Sequence, residues 1–134
     1  MEDDRGRILL HQRTDFNGCW SLPGGSSEFG ESIQATIERE VEEETGLRLE
    51  VSQPIGFSSQ PDVESFRYPN GDHVHLFAMI FWSKKWSGTL RSDPGESPLL
   101  RFFPIDSIPD MRPNEQRSLD HFRQFRQDHI FRII

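Results

Sequence analysis

Cysteine is nearly absent from this sequence, since Cys19 is the one cysteine among 134 residues. A single cysteine excludes an internal disulfide and a cysteine-based metal cluster, so we expect a reducing compartment and a cytoplasmic location. Long apolar runs are also lacking, because no segment approaches the roughly 20 residues that span a bilayer. The opening residues do not resemble a signal peptide. These absences predict a protein that has no membrane partner.

Positive charge is also in short supply, because 15 Lys and Arg face 22 Asp and Glu, for a net charge of -7. A general nucleic-acid binder needs a basic surface, so no polymeric nucleic-acid partner is expected. A small phosphorylated substrate stays possible, because bound divalent cations invert the local charge. The length fits one domain, and no repeat or interdomain linker interrupts it. We therefore expect a single domain over residues 1–134.

The most informative segment runs from Gly25 to Leu47 and joins a glycine turn to a glutamate-rich helix. Glu40, Glu43 and Glu44 are spaced i, i+3 and i+4, so they share one helix face. Like charges at this spacing repel by roughly a few tenths of a kcal/mol per pair, and a bound cation would offset that repulsion. Carboxylate oxygens suit Mg²⁺ or Mn²⁺ rather than zinc or copper. The segment therefore predicts a divalent metal site.

Capping and turn residues divide the chain into several strands and a few helices. The glutamate-rich helix is expected to begin near the N-cap Ser32 and to end at Gly46. A final helix is predicted over Pro113 to Asp128, with Leu119, Phe122 and Phe125 on its buried face. Strands are predicted over residues 6–13, 49–57, 73–82 (largely buried) and 99–104, with a turn at 68–72 and a loop at 84–90 leading to a possible short strand. This order of elements predicts an α+β sandwich.

The segment from Gly25 to Leu47 resembles the Nudix box, GX5EX7REUXEEXGU with U an aliphatic residue, and it matches every fixed position. Segments that flank the box are similar to the same family: residues 7–10, 20–25, 95–96 and 100–104. The resemblance implies a Nudix-type α/β/α sandwich with a mixed β-sheet. It also implies a hydrolase that uses Mg²⁺ or Mn²⁺ to cleave a phosphoanhydride bond in a nucleoside diphosphate linked to another moiety.

The resemblance also assigns roles to individual residues. Glu40, Glu43 and Glu44 would hold the metal ions, together with the carbonyl of Gly25. Arg39 would pair with a box carboxylate and fix its direction. The family varies in which carboxylate takes the proton from water, and the candidates here are Glu40, Glu44 and Glu96 in the late acidic loop. Glu31 could also be explained by the favourable field at the helix N-terminus.

The substrate is less constrained by sequence than the reaction class. Phe16 and Trp20 could stack on a base, although a Trp beside Pro-Gly-Gly also suits packing. Arg13 could meet a phosphate or be solvated, and Asn114 could contact a base or cap the last helix. A nucleotide or nucleotide-sugar is expected, with ADP-ribose or a dinucleotide as alternatives. Two other classes stay open: a catalytically weak nucleotide-binding sensor domain and an acidic interaction module.

Three features depart from the family or concern association. Residues 1–6 are too short and polar for the usual N-terminal strand, so an abbreviated edge strand is expected. Either the chain begins late, or the sheet lacks an edge, or another chain supplies the pairing, since an unpaired edge invites association. Thr36 stands where the family commonly has alanine, and its hydroxyl is expected to bond back to a helix carbonyl without loss of activity. The apolar ending Ile130–Ile134 makes a homodimer possible.

His121 and His129 are expected at the surface of the final helix region.

Overall fold

The computed structural model describes residues 1–14, 17–68, 70–91 and 99–134. Two predicted site residues, Phe16 and Glu96, therefore lie outside the described residues. The chain divides into two compact units, of which the first comprises Met1–Gln53 and Trp82–Arg112. The second unit comprises Pro54–Phe81 and Pro113–Ile134. The prediction of a single domain over the whole chain stays a prediction.

Three helices and eight strands form in the described part of the chain. The helices are α1 (Ile33–Thr45), α2 (Pro61–Glu64) and α3 (Pro113–Asp128). The strands are β1 (Arg7–Gln12), β2 (Trp20–Ser21), β3 (Leu47–Ser58), β4 (Ser65–Arg67), β5 (His73–His75), β6 (Ala78–Gly88), β7 (Leu100–Pro104) and β8 (Arg132–Ile133). They form sheets with the strand orders β2-β1-β7, β6-β3-β8 and β4-β5.

Strand β1 is the centre of the first sheet, where it pairs antiparallel with both β2 and β7. Its apolar residues Ile8, Leu9 and Leu10 are all buried, as expected for a central strand covered on both faces. Val41 on α1 and Leu47 at the start of β3 are also buried in this unit. These residues form its apolar core.

Helix α1 begins and ends where its capping residues predict. The Ser32 hydroxyl accepts a hydrogen bond from the Ala35 backbone N–H at 3.1 Å, which satisfies one otherwise unpaired donor of the first turn. Gly46 ends the helix with φ 76°, and its N–H donates to the Glu42 carbonyl at 2.8 Å. These local signals define the part of the helix that carries the box glutamates.

The N-terminal segment forms an isolated antiparallel bridge between Glu2 and Ile8, and the abbreviated edge strand stays a prediction. It is nevertheless bonded on two sides. Leu9 N–H donates to the Met1 carbonyl at 3.0 Å, and Glu2 N–H donates to the Ser83 carbonyl at 2.9 Å. The Glu2 side chain is 1% exposed and accepts a hydrogen bond from Trp82 Nε1 at 2.8 Å. At Glu2 the chain is therefore paired within its own unit.

Helix α3 supplies most of the apolar core of the second unit. Leu119, Phe122 and Phe125 are buried along one face of the helix, as their spacing predicted. Near the C-terminus, strand β8 pairs in parallel with β3, and Gly56 and Phe57 face its two residues. The backbone of the apolar ending thus pairs within its own unit, and the predicted homodimer stays a prediction.

The prediction of one largely buried strand over residues 73–82 is wrong. The chain leaves β5 after His75, and β6 starts only at Ala78. Between them, Leu76 N–H donates to the Glu64 carbonyl at 2.9 Å, and the Phe77 side chain is 66% exposed. Strand β6 then continues to Gly88, so the predicted loop at 84–90 is mostly strand. The apolar composition of this segment predicted burial. Burial also requires neighbouring elements that cover the side chains, and Phe77 is not covered in this way.

The surface position predicted for His121 is also wrong. His121 is 3% exposed on the inner face of α3, and its Nε2 lies 2.8 Å from the Ile55 carbonyl oxygen. His129, one residue beyond the helix, is exposed as predicted. A polar side chain favours a surface position, but the helix period puts His121 on the same face as Phe122 and Phe125.

Replacement of Phe125 by alanine should destabilise the protein strongly, because this ring is 1% exposed. The expected loss in free energy of unfolding is about 3–5 kcal/mol, measured by urea denaturation. Phe131→Ala is the matched control, since its ring is 45% exposed and should cost much less. Equal losses in the two variants would contradict the core assignment.

Candidate active site

The three box glutamates of α1 differ in how they are held. The Glu40 side chain is 17% exposed, and its Oε1 lies 3.0 Å from Nη1 of Arg39. The Glu43 side chain is 61% exposed, and its Oε2 lies 3.1 Å from the same nitrogen. The Glu44 side chain is 21% exposed, and its Oε2 accepts the Gly24 backbone N–H at 2.9 Å. The helix thus presents three carboxylates that are held by neighbouring groups.

Arg39 connects this face of the helix to Glu31, which precedes the helix. Its Nε donates to Oε1 of Glu31 at 2.8 Å, and its Nη2 donates to Oε2 at 3.0 Å. This two-pronged geometry is the strong form of an arginine–carboxylate pair. Its Nη1 faces Glu40 and Glu43, as described above. The hydrogen bonds to Glu31 and Glu40 raise the pKa of Arg39 above its ordinary value, so the guanidinium stays charged.

Glu31 is held by specific hydrogen bonds in addition to the field of the helix dipole. Besides Arg39, its Oε2 accepts the Glu28 backbone N–H at 3.1 Å and lies 2.8 Å from the Thr36 hydroxyl. Hydrogen bonds from Arg39, the Glu28 N–H and Thr36 lower the pKa of Glu31 to about 2. Its carboxylate is therefore ionised at neutral pH and acts as an acceptor.

The loop before the helix lies close against the glutamate face. Arg39 Nη2 donates to the Ser26 carbonyl at 3.1 Å, which holds the loop beside the guanidinium. A Cβ at Gly25 would lie 2.3 Å from Oε1 of Glu40, so any larger residue there would require the Glu40 carboxylate to move. Glycine at this position therefore allows the backbone and the Glu40 carboxylate to approach each other directly.

The donor set of this region fits a hard divalent cation. Its side chains offer carboxylate oxygens, and the adjacent backbone at Gly25 offers a carbonyl. Glu31, Glu40 and Glu43 share the single positive charge of Arg39, so the region keeps an excess of negative charge. Within residues 1–14, 17–68, 70–91 and 99–134, no three His, Cys, Asp or Glu side chains already converge in metal-ligand geometry. The fit therefore rests on donor chemistry, on charge and on the contact between Gly25 and Glu40.

The residues predicted to contact substrate have different surroundings in the structure. The Trp20 ring packs edge-on against Phe103, with centroids 4.7 Å apart, which favours the packing interpretation. Arg13 lies half-buried just after β1, where its backbone N–H donates to the Cys19 carbonyl at 3.0 Å. The prediction for Phe16, like that for Glu96, concerns a residue outside the described part of the chain.

The N-cap role weighed for Asn114 is wrong, because α3 begins at Pro113 and includes Asn114. Its side-chain nitrogen donates to Oε2 of Glu64 at 3.3 Å instead. Glu64 itself is 1% exposed and also accepts a hydrogen bond from the Ser58 hydroxyl. The amide of Asn114 is thus tied to a buried carboxylate within the second unit.

Besides Glu2 and His121, sequence reasoning missed the polar contacts of two further buried residues. His11 on β1 is 3% exposed, and its Nδ1 lies 3.9 Å from Oε1 of Glu44. Glu64 is the other, at the end of α2. The position of His11 directly after Ile8, Leu9 and Leu10 was a usable signal, because β1 is central and its residues are buried on both faces. Nothing in the local sequence distinguishes Glu64 from a solvated helix residue.

A family model for the NUDIX domain matches residues 1–123 of this sequence. The chain belongs to the Nudix hydrolase family. It is therefore a Nudix pyrophosphohydrolase, and the predicted family and enzyme class are confirmed. In the described residues of this hydrolase, no helix combines the length and apolar character needed to cross a membrane.

Curated relatives of this Nudix hydrolase carry different activity names. It is 28% identical over 127 residues to an ADP-ribose pyrophosphatase of Methanocaldococcus jannaschii, covering 94% of this chain and 70% of that protein. It is 32% identical over 123 residues to a putative 8-oxo-dGTP diphosphatase of Bacillus subtilis, covering 91% of this chain and 74% of that protein. These names agree on hydrolysis and differ on the substrate.

Solved structures confirm the predicted Nudix-type α+β fold. The MutT Nudix hydrolase of Burkholderia pseudomallei matches with a TM-score of 0.72 and 29% identity, over 87% of this chain and 88% of that one. The Nudix domain of NrtR from Shewanella oneidensis, crystallised with ADP ribose, matches with a TM-score of 0.70 over 88% of this chain and 76% of that one. At 17% identity, the second likeness shows the fold alone.

Replacement of Gly25 by alanine should impair this hydrolase because the new Cβ would displace the Glu40 carboxylate. A shift of about 1 Å at a reacting centre can cost on the order of 100-fold, so we expect a loss of that size in turnover. Steady-state kinetics provide the measurement. Gly71→Ala is the control, because a Cβ there meets nothing within 4 Å and only its φ of 95° opposes alanine. Full activity in Gly25→Ala would contradict this packing.

The stabilisation from Glu31 should depend on pH. Its folded-state pKa of about 2 lies below the ordinary value of 4.5, so the stabilisation is fully present above pH 4.5 and is lost as the pH falls towards 2. Glu31→Gln should therefore lower the free energy of unfolding at neutral pH, and the deficit should shrink between pH 4.5 and 2. Urea denaturation across this range provides the measurement.

The control for this titration is Glu38→Gln. Glu38 lies on the same helix but accepts a hydrogen bond from the Gln34 side chain instead of an arginine. Its deficit at neutral pH should be the smaller of the two. A Glu31→Gln deficit that stays constant from pH 7 to 2 would contradict the ion pair as its source.

Proposed function

We propose that this Nudix hydrolase cleaves a phosphoanhydride bond in a nucleoside diphosphate linked to another moiety, in a reaction that requires Mg²⁺ or Mn²⁺. The observation that carries the proposal is the direct contact between Gly25 and the Glu40 carboxylate, on the helix that also carries Glu43 and Glu44. The contact places the backbone at Gly25 next to the acidic side chain of Glu40. Such an oxygen-rich region suits a hard cation.

In this proposal Glu40, Glu43 and Glu44 hold the metal together with the carbonyl of Gly25. Bound divalent ions would neutralise charge on the phosphoryl oxygens and lower the pKa of water. Arg39 does not bind metal, because its guanidinium has no lone pair to donate. It holds Glu40 and Glu43 from one side, which leaves their other oxygens available for coordination.

The attacking water must lose a proton as it bonds to phosphorus, and the bond to the leaving phosphate oxygen breaks. Glu40 and Glu44 are both candidates for the base, as is Glu96. Glu44 is held through Gly24 and lies near His11, whereas Glu40 is held by Arg39. Glu40 and Glu44 are also proposed metal ligands, so of the three candidates only Glu96 can be replaced without removing a ligand. If Glu96 is the base, Glu96→Gln should lower kcat and change its pH dependence.

The substrate class follows from chemistry shared by the named relatives. The M. jannaschii relative is named for ADP-ribose and the B. subtilis relative for 8-oxo-dGTP, and both compounds contain a nucleoside diphosphate unit. Arg13, half-buried just after β1, is our candidate for a phosphate contact. A sensor without turnover is less favoured, because every fixed position of the box is retained.

Glu43→Gln should reduce hydrolysis by orders of magnitude while the fold survives, because Glu43 is 61% exposed and the change removes only a charge. Product release would be measured from dNTPs, NTPs, ADP-ribose, NADH and dinucleotide polyphosphates, each with Mg²⁺, with Mn²⁺ and with chelator. A coupled phosphatase reveals monophosphate products.

Glu42→Gln is the matched control, since Glu42 is the preceding residue and pairs with Arg48 at 2.8 Å instead of with Arg39. It should retain turnover. Hydrolysis that persists in chelator would overturn the metal requirement. Unchanged hydrolysis in Glu43→Gln would overturn the ligand assignment. Metal binding without turnover on any substrate would favour the sensor interpretation.

A further inference from the structure

Thr36 has contacts that its expected role as a tolerated substitution does not explain. It is 6% exposed, and its hydroxyl lies 3.0 Å from the Ser32 carbonyl, 2.8 Å from Oε2 of Glu31 and 2.9 Å from the Ser27 hydroxyl. The first contact is the one expected of a bond back to the helix, but the single hydroxyl proton can serve only one of the three. The other two join side chains that belong to the loop preceding the helix.

The direction of these hydrogen bonds follows from the number of available protons. A hydroxyl has one proton to donate and two lone pairs to accept with, whereas an ionised carboxylate can only accept. The Thr36 proton is therefore best used towards Glu31, because a hydrogen bond to a charged acceptor is the stronger one. The Ser27 hydroxyl can then donate to Thr36, and the Ser32 carbonyl accepts the Thr36 backbone N–H at 2.9 Å.

This chain of hydrogen bonds continues to the box carboxylates through Arg39. Glu31 fixes one edge of the guanidinium with two hydrogen bonds, and the remaining nitrogen of Arg39 faces Glu40 and Glu43. A rotation of Glu31 would therefore turn the guanidinium and change the ion pairs that Arg39 makes with Glu40 and Glu43. Thr36 restrains such a rotation, because it contacts Oε2 from the helix side.

Thr36 also joins the loop to the helix. Ser27 is held by the Thr36 hydroxyl, and the neighbouring Ser26 carbonyl accepts from Arg39. Gly25, which packs against Glu40, directly precedes these two residues. The position of the Gly25 backbone thus depends on contacts from two residues of α1.

We propose that the Thr36 hydroxyl is a positioning residue of the active site, which orients Glu31 and Arg39 and holds the loop that carries Gly25. The inference deepens the proposed metal site and rests on it for any effect on turnover. The orientation of Arg39 can be measured without metal or substrate, so the two proposals can fail separately. No fixed position of the Nudix box requires a hydroxyl at this residue.

The test compares Thr36→Val, which removes the hydroxyl at nearly constant shape, with Thr36→Ser, which keeps it. Hydrogen exchange of the Arg39 Nε–H, followed by NMR in metal-free protein, should be faster in Thr36→Val and near wild type in Thr36→Ser. Mn²⁺ alone, titrated by electron paramagnetic resonance, should bind about three- to tenfold more weakly to Thr36→Val, less than the roughly 10- to 100-fold typical of losing a direct partner of a metal ligand.

Thr45→Val is the matched control for a merely structural role. Thr45 is buried on the same helix, and its hydroxyl also bonds back to a carbonyl, that of Val41, at 2.6 Å. Its loss should lower thermal stability without changing the exchange of Arg39 Nε–H or the affinity for Mn²⁺. Rescue by serine together with this contrast would support the proposal.

Equal Arg39 exchange in Thr36→Val and wild type would overturn the proposal, whatever the kinetics show. So would equal effects of Thr36→Val and Thr45→Val. If Glu43→Gln leaves turnover unchanged, the metal assignment fails, but the exchange measurement still decides whether Thr36 orients Arg39.

Discussion

The paired hydrogen bonds between Arg39 and Glu31 are the interaction on which the rest of the candidate active site depends. Three carboxylates surround one guanidinium, and each would repel the others without it. Glu31 uses both oxygens to fix the plane of the arginine, so its last nitrogen has a defined direction. The loop from Ser26 onwards is bonded to the same group. A single arginine thus organises charge, side-chain direction and backbone position.

Features encoded by nearby residues were predictable from the sequence. The start and end of α1 follow from Ser32 and Gly46, whose capping interactions lie within one turn of the helix. The buried face of α3 follows from the spacing of Leu119, Phe122 and Phe125. The shared face of the box glutamates follows from the helical period in the same way. In each case the information lies within a few residues, so no knowledge of tertiary packing was needed.

Features that depend on distant residues were not predictable in this way. The break at Leu76 and Phe77 arises where the backbone bonds to Glu64, and the burial of His121 depends on β3 beside it. The same limit applies to Glu31, for which the sequence offered the helix dipole as an explanation. Its partner Arg39 lies eight residues away, a separation at which neither residue identifies the other without the loop geometry. The resemblance to a known family supplied the reaction class that local physics could not.

Each of the two compact units is built from two separate segments of the chain, and this order has a consequence for synthesis on the ribosome. The chain completes only part of the first unit by Gln53, leaves it for the second, and returns at Trp82. Neither unit is therefore a continuous fragment, and no single cut separates them intact. During translation, the sheet that contains β1 cannot acquire β7 until residues 100–104 have left the ribosome. Until then the apolar residues of β1 lack one of their two neighbouring strands, a state that favours capture by chaperones or by other unfinished chains.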